Sequence, residues 1–406
     1  MFGPARAWTP VAATLVLGGW GANQFTPLSV VYRSAEGWTT LTVIAMFTVY
    51  LIGLVPGLLL GDRAADRFGR RRVVRLALAL TVVSSLLLAA AVVSPGAVYM
   101  SRLLTGVGVG IIVSAGGVWL QGVAGGIGVD RAVRLAVYAV GAGFAFGPLA
   151  AGAMAEWLPA PMVLPCLVHG GLSLLVLVAT RGVPDIAPRR GPIGSATDGR
   201  RDADRWSVVR HPRFVGVVLP ASPAIFAAVT VSYVVLPPLV IDRVHGYEPL
   251  FSGLVAAVTL SVGLAVQPLA VRIDRPGTAR ATLLAMSTVV VGLLVGAIAV
   301  ELVSPLLVLA AAVVLGAGYG LTLESGLTEI ERLASPGARP TASALFQGVA
   351  HSGFLAPLLL AISATSLSYP TLLAGLAAVG LVCLAIAATF SYRHDTAMRG
   401  AQPWAE

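Results

Sequence analysis

The chain has 406 residues, of which 57% are hydrophobic and only 11% are charged. Soluble domains carry about 25% charged residues, so this composition excludes an ordinary soluble protein and predicts an integral membrane protein. The net charge of +9 comes from arginine alone, because the chain contains no lysine. Both cysteines, Cys166 and Cys383, lie inside apolar segments, which argues against a disulfide framework.

Twelve apolar segments follow one another along the chain, each close to the ~20 residues that a helix needs to cross ~30 Å of hydrocarbon. The first segment could pass for a signal peptide, but it is too long and another span follows it at once. We therefore predict an all-α integral membrane protein with twelve transmembrane helices. The spans are expected at 10–32, 39–60, 73–93, 97–121, 133–155, 161–180, 214–240, 250–271, 281–300, 305–328, 341–365 and 370–390.

The arginines predict the orientation of these spans. If the amino terminus is cytoplasmic, 24 of the 27 arginines fall in cytoplasmic loops and tails, Arg33 and Arg243 fall outside, and Arg102 lies within a span. The positive-inside rule then places the protein in the cytoplasmic membrane with both termini in the cytoplasm. Because the charge is distributed over seven loops and tails, we expect no nucleic-acid partner.

The longest polar segment, 181–213, has too few apolar residues to fold alone and is predicted to be a cytoplasmic linker. It separates two six-helix bundles, 1–180 and 214–406, the second of which carries a short cytoplasmic tail. The halves repeat at an offset of about 210 residues. Asp66-Arg67-Phe68-Gly69 matches Asp274-Arg275-Pro276-Gly277, Pro27 and Arg33 match Pro237 and Arg243, and Gly106, Gly108 and Gly110 match Gly316, Gly318 and Gly320.

The polar stretch Gly61–Arg72 interrupts two apolar runs and is predicted to be a loop, because such a sequence cannot lie in hydrocarbon. Its Asp-Arg-Phe-Gly-Arg-Arg pattern resembles the loop after the second helix in the major facilitator superfamily of secondary transporters. A plain basic anchor on the cytoplasmic leaflet is the alternative. The internal repeat agrees with the resemblance, since that family pairs two parallel six-helix repeats.

The resemblance implies that this loop acts as a conformational latch between the two halves. The residues carried over to that role are Asp66, Arg67, Gly69 and Arg70 in the first half and Asp274 and Arg275 in the second. Asp62 departs from the pattern, because it stands where the family commonly has glycine. It could disturb close packing or add a second acidic partner.

The fourth span contains Arg102 about one turn inside it, followed by the pair Gly106 and Gly108 in a second pattern that resembles the family. An arginine inside hydrocarbon costs about 3 kcal/mol unless it reaches the surface or finds a partner. Snorkelling to the outer surface is one interpretation. The resemblance instead implies proton coupling or binding of an anionic group.

The fifth span contains Gly143, Gly147, Pro148 and Gly152, which resemble a pattern associated with exporters of the family, with Ala151 in place of one glycine. Small residues four positions apart let a helix approach its neighbour closely. Pro148 removes one backbone hydrogen bond and bends the helix. Ordinary small-residue packing is the alternative, but the Gly-Pro pair favours export over uptake.

Titratable groups are scarce inside the spans, and no Asp or Glu lies within a span of the first half. Besides Arg102, the proton-coupling candidates are His351, ~15 Å deep in span eleven, and Glu324 in span ten. His169 lies at a similar depth in span six. For both histidines the alternative is a neutral ring bonded to a backbone carbonyl. Glu329 and Glu331, at the end of span ten, are expected to be solvated.

By the resemblance, helices 1, 4, 7 and 10 surround a central cavity, and helix 11 contributes to it secondarily. For Trp119 and Gln121, the alternative is a role as interfacial anchors at a helix end. The cavity candidates are Asn23, Gln24, Trp119, Gln121, Tyr233, Tyr319 and Gln347.

The resemblance to the twelve-helix drug:proton antiporter group implies a monomeric secondary transporter in the lipid bilayer. It would export small, amphipathic organic molecules by alternating access, with protons as the coupling ion. Nutrient or metabolite uptake by proton symport or facilitated diffusion is the alternative, and a membrane enzyme or sensor is a remote one. The sequence has no metal-ligand cluster, nucleophile elbow or phosphate-binding loop, so we expect no enzymatic activity, cofactor or metal.

Overall fold

The structure, a computed structural model of the chain, describes residues 7–90, 94–186, 208–275, 278–335 and 337–399, with side chains as far as Ser391. These residues form helices and connecting turns, and none of them forms a strand. The chain divides into two compact units. Unit 1 comprises Met1–Gly191 and Val244–Ser261, and unit 2 comprises Pro192–Arg243 and Val262–Glu406. The beginning of the eighth span therefore groups with the first six spans.

The first six spans contain eight α-helices. A π-helical turn, Ile112–Gly116, joins the two helices of the fourth span. The helices are α1 (Trp8–Asn23), α2 (Phe25–Glu36), α3 (Thr40–Phe68), α4 (Arg70–Ala89), α5 (Pro95–Ile111), α6 (Gly117–Val123), α7 (Val129–Trp157) and α8 (Leu164–Ala179).

The first span is divided at Gln24 into α1 and α2. Pro27 causes this division, because it has no N–H with which to continue the helical hydrogen bonds to Asn23. Eleven other helical segments in the described residues are long and apolar enough to cross a membrane. With the divided first span they match the twelve predicted spans, and the prediction of an all-α membrane protein is confirmed.

The stretch Gly61–Arg72 is not the loop that the sequence predicted. Helix α3 continues to Phe68 and α4 begins at Arg70, so that only Gly69 is non-helical. Gly69 has φ of +91°, a conformation that favours glycine and lets one helix follow another directly. The ion pair of Asp66 and Arg70, four residues apart, spans this junction.

The remaining spans contain seven α-helices, and the first part of α10 belongs to unit 1. They are α9 (Leu219–Thr230), α10 (Glu248–Ile273), α11 (Arg280–Glu301), α12 (Pro305–Leu333), α13 (Arg339–His351), α14 (Ala356–Ser363) and α15 (Tyr369–Arg399).

Prolines interrupt two of these spans. The seventh changes from α9 to a π-helical turn, Val231–Val235, just before Pro237, the repeat counterpart of Pro27. The eleventh is divided into α13 and α14 by a 3-10 turn, Ser352–Leu355, that precedes Pro357. A proline cannot donate to the carbonyl four residues before it, which explains both irregularities.

The predicted linker is described only at its two ends, since 187–207 lie outside the described residues. Its first residues pack on unit 1, where Ile186 fills the space beside Gly122. Its last residues enter the core of unit 2 through Val208, which is buried. Pro276 and Gly277, part of the predicted repeat, also lie outside the described residues.

Candidate functional site

Arg102 lies in the interior of unit 1, not at its surface. Its side chain is 1% exposed, and Nη1 donates to the carbonyl of Ala22 at the end of α1 (3.2 Å). The guanidinium lies over the rings of Phe25 (4.9 Å) and Tyr50 (4.7 Å), which attract a cation through their π faces. The structure therefore contains a packed and hydrogen-bonded arginine instead of the snorkelling one.

Gln24 and Asn23 are buried at the division between α1 and α2. The Asn23 amide donates to the carbonyl of Phe144 on α7 (3.3 Å). The Gln24 amide nitrogen lies 3.3 Å from Nδ1 of His169 on α8. The division of the first span thus places two amides in contact with α7 and α8.

His169 is fully buried and contacts α1, α4 and Gln24 at the division between α1 and α2. Its Nε2 lies 3.0 Å from the carbonyl of Leu17, and its Nδ1 lies 2.8 Å from the Ser85 hydroxyl on α4. The Trp20 ring packs beside it, with centroids 5.7 Å apart. The carbonyl contact agrees with the neutral-histidine interpretation. The additional contacts with Gln24, Ser85 and Trp20 were not foreseen.

The four residues of the helix-five motif lie at two helix crossings within unit 1. On the α1 side, a methyl group at Gly143 would overlap the carbonyl of Val16, and one at Gly147 would overlap the backbone of Trp20. On the side of α10, a methyl group at Gly152 would lie 2.6 Å from the Pro249 carbonyl oxygen.

The partners at both crossings include glycines that the sequence analysis did not select. A methyl group at Gly19 would lie 2.6 Å from Phe144 N, and one at Gly253 would overlap the Pro148 carbonyl. Backbones approach this closely only where neither helix carries a side chain at the contact. The motif is therefore a close-packed junction of α7 with α1 and with the beginning of α10.

At the α3–α4 junction, Arg70 is buried and forms ion pairs with Asp66 (2.7 Å) and Asp62 (3.4 Å). Asp62 is thus a second acidic partner of Arg70, which answers the question that the sequence left open. Arg67 is exposed, and its guanidinium lies over the ring of Phe68.

The segment Arg181–Ile186 is hydrogen-bonded to α4 and α6 of unit 1. Asp185 Oδ1 accepts from the backbone N–H of Arg71 in the first turn of α4 (3.1 Å). The Arg71 guanidinium donates to the carbonyl of Arg181. The Trp119 indole N–H donates to the carbonyl of Pro184 (3.0 Å).

Trp119 is therefore neither a cavity residue nor an interfacial anchor in this structure. Its side chain is fully buried in the core cluster of unit 1, beneath the start of the linker. The sequence could not reveal this position, because the partner is a backbone carbonyl 65 residues away. Gln121, two residues further along, is half-buried.

In unit 2, two ion pairs lie near the carboxyl-terminal end of α12. Asp274 pairs with Arg332, whereas Arg275 is exposed. Glu329, which we expected to be solvated, is 4% exposed and pairs with Arg213 at 2.6 Å. The expectation was wrong because α12 extends to Leu333, so that Glu329 lies within the packed helix and not beyond its end.

His351 is half-buried in an aromatic cluster of unit 2. Its Nδ1 lies 2.6 Å from the backbone carbonyl of Gln347, one turn earlier in α13. Its ring packs against Phe226 (4.6 Å between centroids) and Phe354 (5.8 Å). Tyr319 joins the cluster through Phe226, at 6.2 Å.

The other candidates of unit 2 are dispersed over its spans. Tyr233 is buried in the π-helical turn of the seventh span. Glu324 on α12 and Gln347 on α13 are half-buried. Within the described residues, no group of three or more His, Cys, Asp or Glu side chains is arranged to hold a metal ion.

Comparisons with known proteins agree with this architecture. A sequence model of the Major Facilitator Superfamily matches residues 9–357. A comparison with curated proteins gave no match. Among solved structures, the chain is similar to the nucleoside transporter NupG, with a TM-score of 0.69, 14% identity and coverage of 99% of this chain and 100% of the other.

Two further solved structures are similar over nearly the full length. One is a POT family transporter in complex with 5-aminolevulinic acid, with a TM-score of 0.74, 13% identity and coverage of 96% of both chains. The other is a bacterial homolog to the human lysosomal transporter Spinster, with a TM-score of 0.69, 13% identity and coverage of 99% of this chain and 98% of the other. At these identities the likeness concerns the fold.

Proposed function

Because this chain belongs to the major facilitator superfamily of membrane transporters, we propose that it exports small, amphipathic organic molecules across the cytoplasmic membrane in exchange for protons. The observation that carries export is the helix-five motif. Gly143, Gly147, Pro148 and Gly152 are all at close helix crossings, so the motif is more than a chance run of small residues. The corresponding pattern is associated with exporters in the family.

Alternating access would occur by rocking of residues 1–180 against residues 214–406. The latch would comprise Asp66, Arg67, Gly69 and Arg70 together with Asp274 and Arg275. The ion pairs of Arg70 support such a role, because they hold a buried guanidinium between two half-exposed carboxylates at the junction of α3 and α4.

The substrate would be mainly uncharged, since the cavity candidates at the interruptions of the first and seventh spans carry amides and a phenol: Asn23, Gln24 and Tyr233. Proton exchange would involve Arg102, His351 or Glu324. Both termini would lie in the cytoplasm, and one chain surrounded by lipid would suffice, because it contains both halves of the pathway.

Growth of an efflux-deficient bacterial host on a panel of antibiotics and dyes tests export. The protein should confer resistance to amphipathic compounds, and an uncoupler should abolish it. Pro148→Leu should lower resistance to that of the host without the protein. The matched control is Pro56→Leu, which changes an exposed proline in the middle of α3. Full resistance from Pro148→Leu, at equal amounts in the membrane, would contradict the role of the motif.

Inside-out vesicles with an acidic lumen separate export from uptake. A substrate that exchanges with protons should accumulate in the lumen as protons leave. A substrate that moves together with protons should instead be lost from preloaded vesicles, which would favour the symport alternative.

A further inference from the structure

The amide of Gln24 has a defined orientation that follows from the chemistry of its partner. The Leu17 carbonyl can only accept, so His169 Nε2, 3.0 Å away, must carry the proton of the neutral ring. His169 Nδ1 is then an acceptor, and the Gln24 group that faces it at 3.3 Å must be the NH2. The carbonyl oxygen Oε1 of Gln24 consequently points away from the histidine.

That oxygen is a buried acceptor for which no described residue supplies a donor. One turn earlier on the same helix face, the Trp20 indole N–H is a buried donor for which no described residue supplies an acceptor. Unsatisfied polar atoms in a buried position are costly and rare in folded proteins. Gln24 is 2% exposed, so both atoms belong to the interior of unit 1.

Protonation of His169 would reverse the arrangement. The imidazolium donates from both nitrogens, so Nδ1–H would then face the NH2 of Gln24, donor against donor. Rotation of the amide by about half a turn relieves this conflict and presents Oε1 to the ring. Ser85 permits both states, because its hydroxyl lies 2.8 Å from Nδ1 and 3.0 Å from the Thr81 carbonyl, and can donate to either or accept from the ring.

We propose that Gln24, His169 and Trp20 form a proton-dependent subsite for an uncharged group that both donates and accepts hydrogen bonds, such as a hydroxyl or a primary amide. With neutral His169 the subsite offers one acceptor, Gln24 Oε1, and one donor, the Trp20 N–H. With protonated His169 it offers donors only. This proposal rests on the proposed export function and adds His169 to its proton-coupling candidates, since proton and substrate favour opposite states of one amide.

The hydrogen-bond partners and ring neighbour of His169 within the described residues are all uncharged: Leu17, Gln24, Ser85 and Trp20. Helices α1, α4 and α7 pack against α8. Helix α1 has no titratable side chain, and the arginines of α4 are ten or more residues from Ser85, about 15 Å along the helix.

The titratable groups on or near these elements are Arg70, Arg71, Arg72 and Arg75 of α4, Asp130, Arg131, Arg134, Tyr138 and Glu156 of α7, Cys166 of α8, Tyr32 of α2 and Arg102 of α5.

Arg102 contacts residues next to the subsite, since it donates to Ala22 and its guanidinium lies over the ring of Phe25, the neighbour of Gln24. An arginine side chain does not release its proton in proteins, so Arg102 does not perform the switch. His169 is fully buried in this conformation, so its protonation requires a conformation in which its surroundings are more open.

Infrared difference spectroscopy of the full chain in lipid tests the switch without a transport assay. Glutamine labelled with carbon-13 at the side-chain carbonyl identifies the amide band, and the protein is compared between neutral and acidic buffer. We expect the band to shift on acidification, and to lose this shift in Gln24→Met and in His169→Asn. Gln347→Met, which removes a half-buried glutamine outside the subsite, should retain the shift.

The switch is wrong if no glutamine band shifts, or if the shift persists in His169→Asn, a variant that remains informative even where Gln24→Met does not fold. The ligand is tested with 1-naphthalenemethanol, a neutral alcohol, in neutral buffer. It should shift the Gln24 band, whereas 1-methylnaphthalene, which lacks the hydroxyl, should not. An unchanged band, or equal shifts with both compounds, would overturn the subsite. Failure of export in cells with a normal infrared response would instead count against the proposed function alone.

Discussion

Glycines in the membrane helices of this protein differ sharply in what surrounds them. Gly143 on α7 lies where any side chain would overlap the Val16 carbonyl of α1. Gly171 on α8 has no neighbouring atom within 4 Å of the position that a methyl group would take. Both look alike in the sequence, as single glycines in apolar helices. Only the first is required by packing.

Gly143→Ala should therefore destabilise the protein by about 1–3 kcal/mol, the usual cost of overpacking a well-packed contact. Gly171→Ala should be neutral or stabilising by up to about 1 kcal/mol, because alanine favours the helix over glycine. Thermal unfolding of the two variants in the same detergent measures the difference. Equal stabilities would show that α1 and α7 are not held at this distance.

The same distinction applies to charges near the ends of helices. Glu329 and Glu331 are two residues apart on α12, yet Glu329 is buried against Arg213 and Glu331 is exposed. The carboxyl-terminal end of α12 carries a second ion pair, between Arg332 and Asp274. This helix is thereby tied to the start of the seventh span and to the end of α10.

Glu329→Gln should lower the free energy of unfolding by up to about 3–5 kcal/mol, because it removes a charged partner from a buried arginine. Glu331→Gln, the matched control, should change it by about 0.5 kcal/mol or less. The double variant Arg213→Met with Glu329→Leu should recover most of the loss, since both charges of this pair are removed. Chemical unfolding followed by tryptophan fluorescence compares the three. A single variant as stable as the control would mean that the pair contributes nothing.

The arginines of the whole chain predict one orientation, in which 24 of the 27 share a side of the membrane. The prediction concerns Ser34, after the first span, and Ser335, after the tenth, both of which are exposed. In a background with Cys166 and Cys383 changed to serine, Ser34→Cys should react with an impermeant maleimide on intact cells. Ser335→Cys should react only after permeabilisation. The reverse pattern would invert the orientation and place both termini outside.

The sequence alone determined the class of the molecule, because hydrocarbon imposes a length and an apolar composition on every span. The sequence also contains Pro27 and Pro237, which cannot donate a backbone hydrogen bond whatever surrounds them, but only the structure showed that their spans are interrupted there. Its patterns led to Arg102 and to the helix-five motif before any contact was known.

The tertiary structure decided what each of these residues touches. In the structure, α3 continues through the expected loop and Glu329 is buried. Trp119 is hydrogen-bonded to the start of the linker, and Gln24 contacts His169. Such contacts join positions more than a hundred residues apart, or a side chain to a distant carbonyl, and local sequence patterns do not predict them. Periodicity and composition report the surroundings that a residue tolerates, whereas its partner is set by how the helices cross.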